Sequence, residues 1–275
     1  MLRFFLLCPL LLLALWPKAS CAWGYEGHKV VCEIAYQELN LKARAEVERL
    51  IAEDPEFHTF AMSCIWPDKV ANSTRPETRG WHFINLQRGD TAVDPKRCPA
   101  QESCILSAIA LHRATLANPE STDSEKREAL KYLGHWIADL HQPMHLSYGD
   151  DRGGNFIPVR WRHFQDSNLH AVWDTEMIKD EERKDHMRWK KLAAILAFKI
   201  TPAERQSWTK GNILDWANET YKITRAPQTG YIEARPNMLI ELGEGYEAAE
   251  QPIVNDRLTR AGVRLGAMLN NLLGK

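Results

Sequence analysis

The stretch His135-Trp136-Ile137-Ala138-Asp139-Leu140-His141-Gln142-Pro143-Met144-His145 decides how the rest of the sequence is read. As a helix it places His135 and Asp139 four residues apart, on one face. Pro143 has no N–H and its ring clashes with the preceding turn, so the helix ends or kinks there. The chain can then bring His145 round to the same side. Imidazole and carboxylate at that spacing, with a third donor just past a break, are what a zinc site needs. A single His-x3-Asp pair is also what a surface ion pair looks like, so the pattern gains weight only from the rest of the chain.

The rest of the chain repeats it. Asn168-Leu169-His170-Ala171-Val172-Trp173-Asp174 sets His170 and Asp174 at the same helical spacing. Trp23-Gly24-Tyr25-Glu26-Gly27-His28 lies near the start. Trp66-Pro67-Asp68, expected in a loop, is followed by Trp81-His82-Phe83. Five histidines (28, 82, 135, 145, 170) and three aspartates (68, 139, 174) thus stand in separated, tryptophan-flanked segments.

Around these donors the apolar residues recur mostly at helical spacing. Val30, Val31, Ile34, Ala35 and Leu39 mark a helix over 26–39, and a second over 42–53 closes at Asp54-Pro55. Helices are predicted over 104–117, 123–140, 169–179, 187–199, 211–222 and 237–248, with a long one from Pro252 to Leu273. Gly153 to Trp161 suits a short β-hairpin. With no series of alternating strands, the fold class is all-α, a single mainly helical, bundle-like domain.

Residues 1–22 read as a secretory signal peptide. Arg3 supplies the positive end, Phe4 to Trp16 form an apolar core too short for a comfortable membrane span, and Ser20-Cys21-Ala22 precedes a cleavage that leaves Trp23 first. A lipoprotein signal using Cys21 is the weaker reading, because Lys18 stands where such a signal needs an apolar residue. Residues 23–275 then form one exported domain with a full core and no other membrane-spanning run. Losing Arg3 and Lys18 moves the formal net charge from −1 to −3. That balance argues against a broad phosphate-tracking surface, though not against a nuclease whose positive charge comes from bound metal. Four cysteines remain, and in an exported chain they read as two disulfides with three possible pairings. Cys98 and Cys104 enclose a short proline-containing loop and are expected to pair, leaving Cys32 with Cys64.

Taken in order, Trp23…His28, Trp-x-Asp68, His82-Phe83, His135-x3-Asp139-x-His-Gln-Pro-x-His145, Gly-Gly-Asn155 and Asn-x-His170-x2-Trp-Asp174 resemble the zinc-dependent single-strand nucleases. These are the S1/P1 nucleases of fungi, with plant and bacterial relatives, in the wider phospholipase C superfamily. The resemblance runs from Trp23 to about Asp180. It implies three zinc ions in a cleft of a helical fold. The first would take Asp68, His82, His135 and Asp139. Asp139 would bridge to the third, held by His28 and the backbone amine and carbonyl of Trp23, and the second would take His145, His170 and Asp174.

The resemblance also implies hydrolysis of single-stranded DNA and RNA to 5′-phosphate products by a monomer, with 3′-nucleotidase activity and Asp68 as orienting group or base. Phe83 matches the base-stacking aromatic. Asn85 stands where fungal members bind the base with an Asp; an amide both donates and accepts where a carboxylate only accepts. Ala71 stands where fungal members carry a basic residue, which leaves Lys69 and Arg75 as substitutes. His58, His112, His163 and His186 match no ligand position and read as surface or packing residues. His141 is expected to orient a ligand by hydrogen bond, and Asn155 and Asn168 to support the site. Two alternatives stand beside this reading. A zinc-dependent phospholipase C would share most ligands, but carries Glu where this chain has Asp174. A non-catalytic exported zinc-binding protein would close the coordination shell that this donor set leaves open.

Overall fold

The computed structural model describes residues 23–98, 104–161, 165–184 and 186–274. The signal peptide expected over 1–22, the tip of the Cys98–Cys104 loop and His163 lie outside the described residues. Helix α1 (Tyr25–Gln37) buries His28, Val30, Val31, Ile34 and Ala35. The Asn40 side chain caps α2 (Leu41–Ala52) by accepting from the Ala43 amide. Two short helices follow, α3 (Phe60–Ser63) and α4 (Trp66–Ala71). Asp68 is therefore helical rather than in the expected loop. Pro67 permits this because a first-turn N–H has no helical partner to lose.

A 3-10 turn over Pro76–His82 runs into β1 (Ile84–Leu86). After α5 (Ile105–Ala117) comes α6 (Asp123–Leu140), opened by a Thr122–Glu125 capping box. From Ala129 to Leu140 every residue of α6 is buried. A helix buried all round is a core helix, and α1, α2, α4, α5 and α12 (Tyr246–Leu273) all pack against it. Past its end, the 3-10 turn Pro143–His145 leads to β2 (Leu146–Tyr148), which pairs in parallel with β1, Ile84 opposite Leu146. That pairing fixes His82 beside His145.

The remaining elements are β3 (Pro158–Trp161), β4 (Gln165–Asn168), α7 (Leu169–Ala171), a π-helical turn at Val172–Glu176, α8 (Met177–Lys184), α9 (Trp189–Phe198), α10 (Pro202–Trp208), α11 (Ile213–Thr224), a 3-10 turn at Pro227–Thr229 and β5 (Ile240–Glu241), before α12 closes the chain. The hairpin lies later than the sequence suggested. Gly153 and Gly154 take φ of 65° and 83° and form a turn, while β3 pairs antiparallel with β4 and parallel with β5. The helix expected over 237–248 is absent as such: Asn237 has φ 65°, β5 joins the sheet, and α12 already starts at Tyr246 with Pro252 inside it. The Tyr246 hydroxyl accepts from Trp173 Nε1 at 2.9 Å and donates to the Thr229 carbonyl at 2.9 Å, which anchors that early start. Both expected disulfides, Cys32–Cys64 and Cys98–Cys104, are formed.

Candidate metal centre

Eight donor side chains from seven segments meet beside the end of α6. His28 comes from α1, Asp68 from α4, His82 from the 3-10 turn before β1, and His135 and Asp139 from α6. His145 lies on the turn after α6, His170 on α7 and Asp174 in the π-helical turn. All eight are buried. Asp139 faces two ways. Its Oδ2 lies 3.1 Å from His82 Nδ1 and 3.2 Å from His135 Nε2, and its Oδ1 lies 3.4 Å from His28 Nε2. Asp68 Oδ1 stands 3.6 Å from His135 Nε2 and 3.7 Å from His82 Nδ1. At the other end His170 Nε2 is 2.9 Å and His145 Nε2 3.6 Å from the two oxygens of Asp174. The donors thus form three groups able to hold an ion: His28, Asp68 and His135; His82, His135 and Asp139; and His145, His170 and Asp174.

Backbone carbonyls orient three of the imidazoles. His135 Nδ1 donates to the Cys64 carbonyl at 2.7 Å, His145 Nδ1 to the His82 carbonyl at 2.8 Å, and His170 Nδ1 to the Gly153 carbonyl at 2.6 Å. With Nδ1 as the donor, each ring turns its Nε2 inward, where a metal ion can take the place of a proton. The Cys32–Cys64 disulfide belongs to this support. It lies against Gly134, where a Cβ would clash with the Cys64 sulfur and come within 2.8 Å of that of Cys32. One cross-link therefore ties the helix of His28 to the carbonyl that orients His135.

The fit to a cation follows from what these atoms lack. Facing the cluster, His28 Nε2, Asp68 Oδ1, Asp139 Oδ1, His145 Nε2 and His170 Nε2 are buried without hydrogen-bond partners among the described residues. Each such atom costs about 1–3 kcal/mol, and their concentration in one place is what a bound ion relieves. The electrostatics agree. Burial pushes the Asp68 carboxyl up to about 8, while burial and the other imidazoles hold His28 well below the usual histidine range. Burial likewise brings His82 down to about 4. Burial works against charge on His145 too, but the carboxylates of Asp139 and Asp174 outweigh it and raise that ring to about 9. Asp139 and Asp174 are held low against burial by the histidines facing them.

Trp23 is fully buried, its Nε1 donating to the Ala138 carbonyl at 2.9 Å, while the Gly24 amide donates to the Asp174 carbonyl at 2.8 Å. The start of α1 is thereby pinned between the two His-x3-Asp segments. Phe83, next to buried His82, is 38% exposed, and Asn85 is exposed on β1. Neither substitute for a basic residue at Ala71 is free: Lys69 pairs with Glu56, and Arg75 pairs with Glu128.

A family profile described as S1/P1 Nuclease matches residues 23–274. The chain belongs to the S1/P1 nuclease family. It is 30% identical to Endonuclease 1 of Arabidopsis thaliana, over 91% of this chain and 87% of that protein. It is 28% identical to Nuclease S1 of Aspergillus oryzae, over 92% of each. Nuclease P1 of Penicillium citrinum is 23% identical over 92% of this chain and 98% of its own length. The chain is thus a nuclease acting on nucleic acids, and this family is metal-dependent. The phospholipase alternative falls away. No helix among the described residues is long and apolar enough to cross a membrane.

Within this S1/P1 member one expectation is corrected. His141 orients no donor of the cluster; its Nδ1 bonds the Ile137 carbonyl at 2.7 Å and its Nε2 accepts from Arg264 at 2.8 Å, so it serves the packing of α12 on α6. Its neighbour Gln142 touches the site instead, donating through Nε2 to Asp174 Oδ1. Asn168 caps α7 beneath His170, its Oδ1 accepting from the Ala171 amide at 2.8 Å, and Asn155 donates to the Arg152 carbonyl at 2.9 Å. Asp151, which the sequence did not single out, is fully buried. Its Oδ1 accepts from the Gly154 amide at 2.8 Å and the Tyr231 hydroxyl at 2.7 Å, and its Oδ2 from Arg88 at 2.6 Å. It fixes the Gly153–Gly154 turn whose carbonyl orients His170. At Gly153, φ is 65° and a Cβ would come within 2.6 Å of the Met144 carbonyl, so only glycine makes that turn.

Proposed function

We propose that this nuclease is an exported monomer that binds three zinc ions and hydrolyses single-stranded DNA and RNA to 5′-phosphate products. Residues 1–22 serve as its signal peptide and residues 23–275 as one catalytic domain. The same centre removes 3′-phosphate from nucleotides, because the same kind of bond is broken. The observation that carries this reading is the set of buried nitrogen and oxygen donors in three adjoining groups, several of them without a hydrogen-bond partner among the described residues. Asp68, His82, His135 and Asp139 would hold the first ion, and His145, His170 and Asp174 the second. His28 would hold the third with Asp139 and the backbone amine and carbonyl of Trp23. Zinc bound there supplies Lewis acidity and acidifies water toward a pKa of about 7.

The protein's own groups then do the rest. Asp68, aimed at the cluster with a partnerless oxygen, orients the attacking water and accepts its proton. In-line attack at phosphorus opposite the 3′-oxygen breaks the P–O3′ bond, leaving a 3′-hydroxyl on one fragment and a 5′-phosphate on the other. Phe83 offers an exposed ring beside the recessed donors, where an unstacked base gains about 1–3 kcal/mol, and Asn85 meets the base edge with both a donor and an acceptor. An unpaired base reaches such a site without the cost of leaving a duplex, hence the single-strand preference.

The test is incubation of protein beginning at Trp23 with single-stranded DNA, single-stranded RNA and duplex DNA, with and without chelator. Chelator-sensitive release of 5′-phosphorylated products from the single strands, restored by zinc, is expected. Zinc-loaded protein that hydrolyses none of them overturns the reading.

A further inference from the structure

Three cations stand on the chain between Asp68 and His82: Lys69, Arg75 and Arg79. Two are neutralised. Lys69 pairs with Glu56 and lies 5.2 Å over the Phe57 ring. Arg75 makes a two-pronged pair with Glu128, one bond at 2.7 Å, and stacks on Trp66. Arg79 differs. Its Nε donates to the Ala71 carbonyl at 2.9 Å, a neutral partner, and among the described residues it forms no ion pair. Its side chain is exposed. The guanidinium is thus fixed by one edge to the end of the helix carrying Asp68, from a turn that three residues later supplies His82. The opposite edge, with both terminal nitrogens, keeps an uncompensated positive charge.

We propose that Arg79 is a substrate-binding residue whose terminal nitrogens take a phosphate of the nucleic-acid chain on the Asp68–His82 side of the cluster; this rests on the nuclease reading above. Two parallel N–H donors in a rigid plane match two phosphate oxygens, a geometry an ammonium group cannot reproduce. Holding Nε on a backbone carbonyl sets the plane of that fork before substrate arrives, so little rotamer freedom is lost on binding. The neutral anchor matters: a carboxylate in its place would compete with phosphate, as Glu56 and Glu128 do for Lys69 and Arg75. Simple capping of α4 is the competing role, since a cation near a helix C-terminus also satisfies a carbonyl.

The test compares zinc-loaded wild type, Arg79→Gln and Arg79→Lys. Glutamine keeps an N–H donor for the Ala71 carbonyl and removes the charge; lysine keeps the charge and removes the fork. Two quantities are read at matched zinc content: kcat/KM on single-stranded DNA against salt, and binding of a phosphorothioate-linked single-stranded oligonucleotide by fluorescence anisotropy. The proposal predicts that Arg79→Gln lowers kcat/KM and oligonucleotide affinity about ten- to a hundredfold, with a salt dependence shallower by about 0.7 in log–log slope, the share of one phosphate contact. Arg79→Lys should keep the wild-type slope at intermediate affinity. Wild-type affinity and slope in Arg79→Gln overturn the proposal, as does a loss confined to melting temperature or zinc content, which is the mark of a cap. If wild type cleaves no nucleic acid the nuclease reading fails by itself, and the anisotropy arm still decides for or against Arg79.

Discussion

In the proposed reaction Asp68 handles the proton and Phe83 the base. Asp68 keeps one buried oxygen without a hydrogen-bond partner among the described residues, 3.6 Å from His135 and 3.7 Å from His82. Asp68→Asn is nearly isosteric, so it removes the basic oxygen with little change in packing. A fall in kcat of about 10²–10⁴-fold, the usual contribution of a positioned acid or base, is the expected outcome of single-turnover kinetics. The proposed role of Phe83 is in binding. Phe83→Ala should raise KM on single-stranded DNA about 5- to 150-fold, matching about 1–3 kcal/mol of lost stacking, and leave kcat on a 3′-nucleotide less affected. Steady-state kinetics on the two substrates separate these effects, and an unchanged KM would return Phe83 to ordinary surface. All eight donors were legible in the sequence because imidazole and carboxylate at helical spacing, repeated and flanked by tryptophan, have few other uses. The supporting residues were not. Asp151 sits in an Asp-Asp-Arg-Gly-Gly run that reads as a solvated turn, and its role exists only because Arg88 and Tyr231 arrive from 63 and 80 residues away in sequence. Nothing local to His141 and Gln142 told which of the two faces the metal groups.

At the level of elements, the site hangs on turns that follow helices rather than on the helices alone. The parallel β1–β2 pair holds His82 against His145, and the Gly153–Gly154 turn holds His170. Asp151→Asn keeps the size of the side chain but weakens its bonds to Arg88 and Gly154. We expect the His145–His170–Asp174 group to lose about ten- to a hundredfold in zinc affinity, the usual effect of disturbing the residues that orient metal ligands. Competition titration against a chromophoric chelator measures this, and zinc affinity equal to wild type would show the turn to be held by other contacts. The long periodic helices were predicted with nearly their observed ends, since their apolar faces are set by spacing alone. The elements misjudged were those fixed from outside. Two strands of the small sheet meet across more than seventy residues, and α12 begins six residues before Pro252 because Trp173 and Thr229 engage Tyr246. Such contacts leave no trace in local periodicity.

Across the whole molecule, α6 is the axle and the candidate metal groups lie at its end, so the proposed metal site shares residues with the core. Away from them, Glu250 on α12 is buried with no hydrogen-bond partner for either oxygen among the described residues. Burial pushes its carboxyl up to about 7, from 4.5. A group whose pKa is raised on folding favours the fold while protonated: that contribution is fully present below about pH 4.5 and is lost as pH rises through about 7. Glu250→Gln should therefore be more stable than wild type at pH 9, by on the order of 1–2 kcal/mol, and should lose that advantage at pH 4. Thermal unfolding at the two pH values checks this. In the proposed function one buried cluster, completed by the Trp23 backbone, holds three zinc ions. Anomalous diffraction at the zinc edge from crystals of protein beginning at Trp23 tests it most directly. Three peaks are predicted: one among Asp68, His82, His135 and Asp139, one at His28 with the Trp23 backbone, and one among His145, His170 and Asp174. A crystal of active protein with any of these three positions empty of zinc would contradict the account.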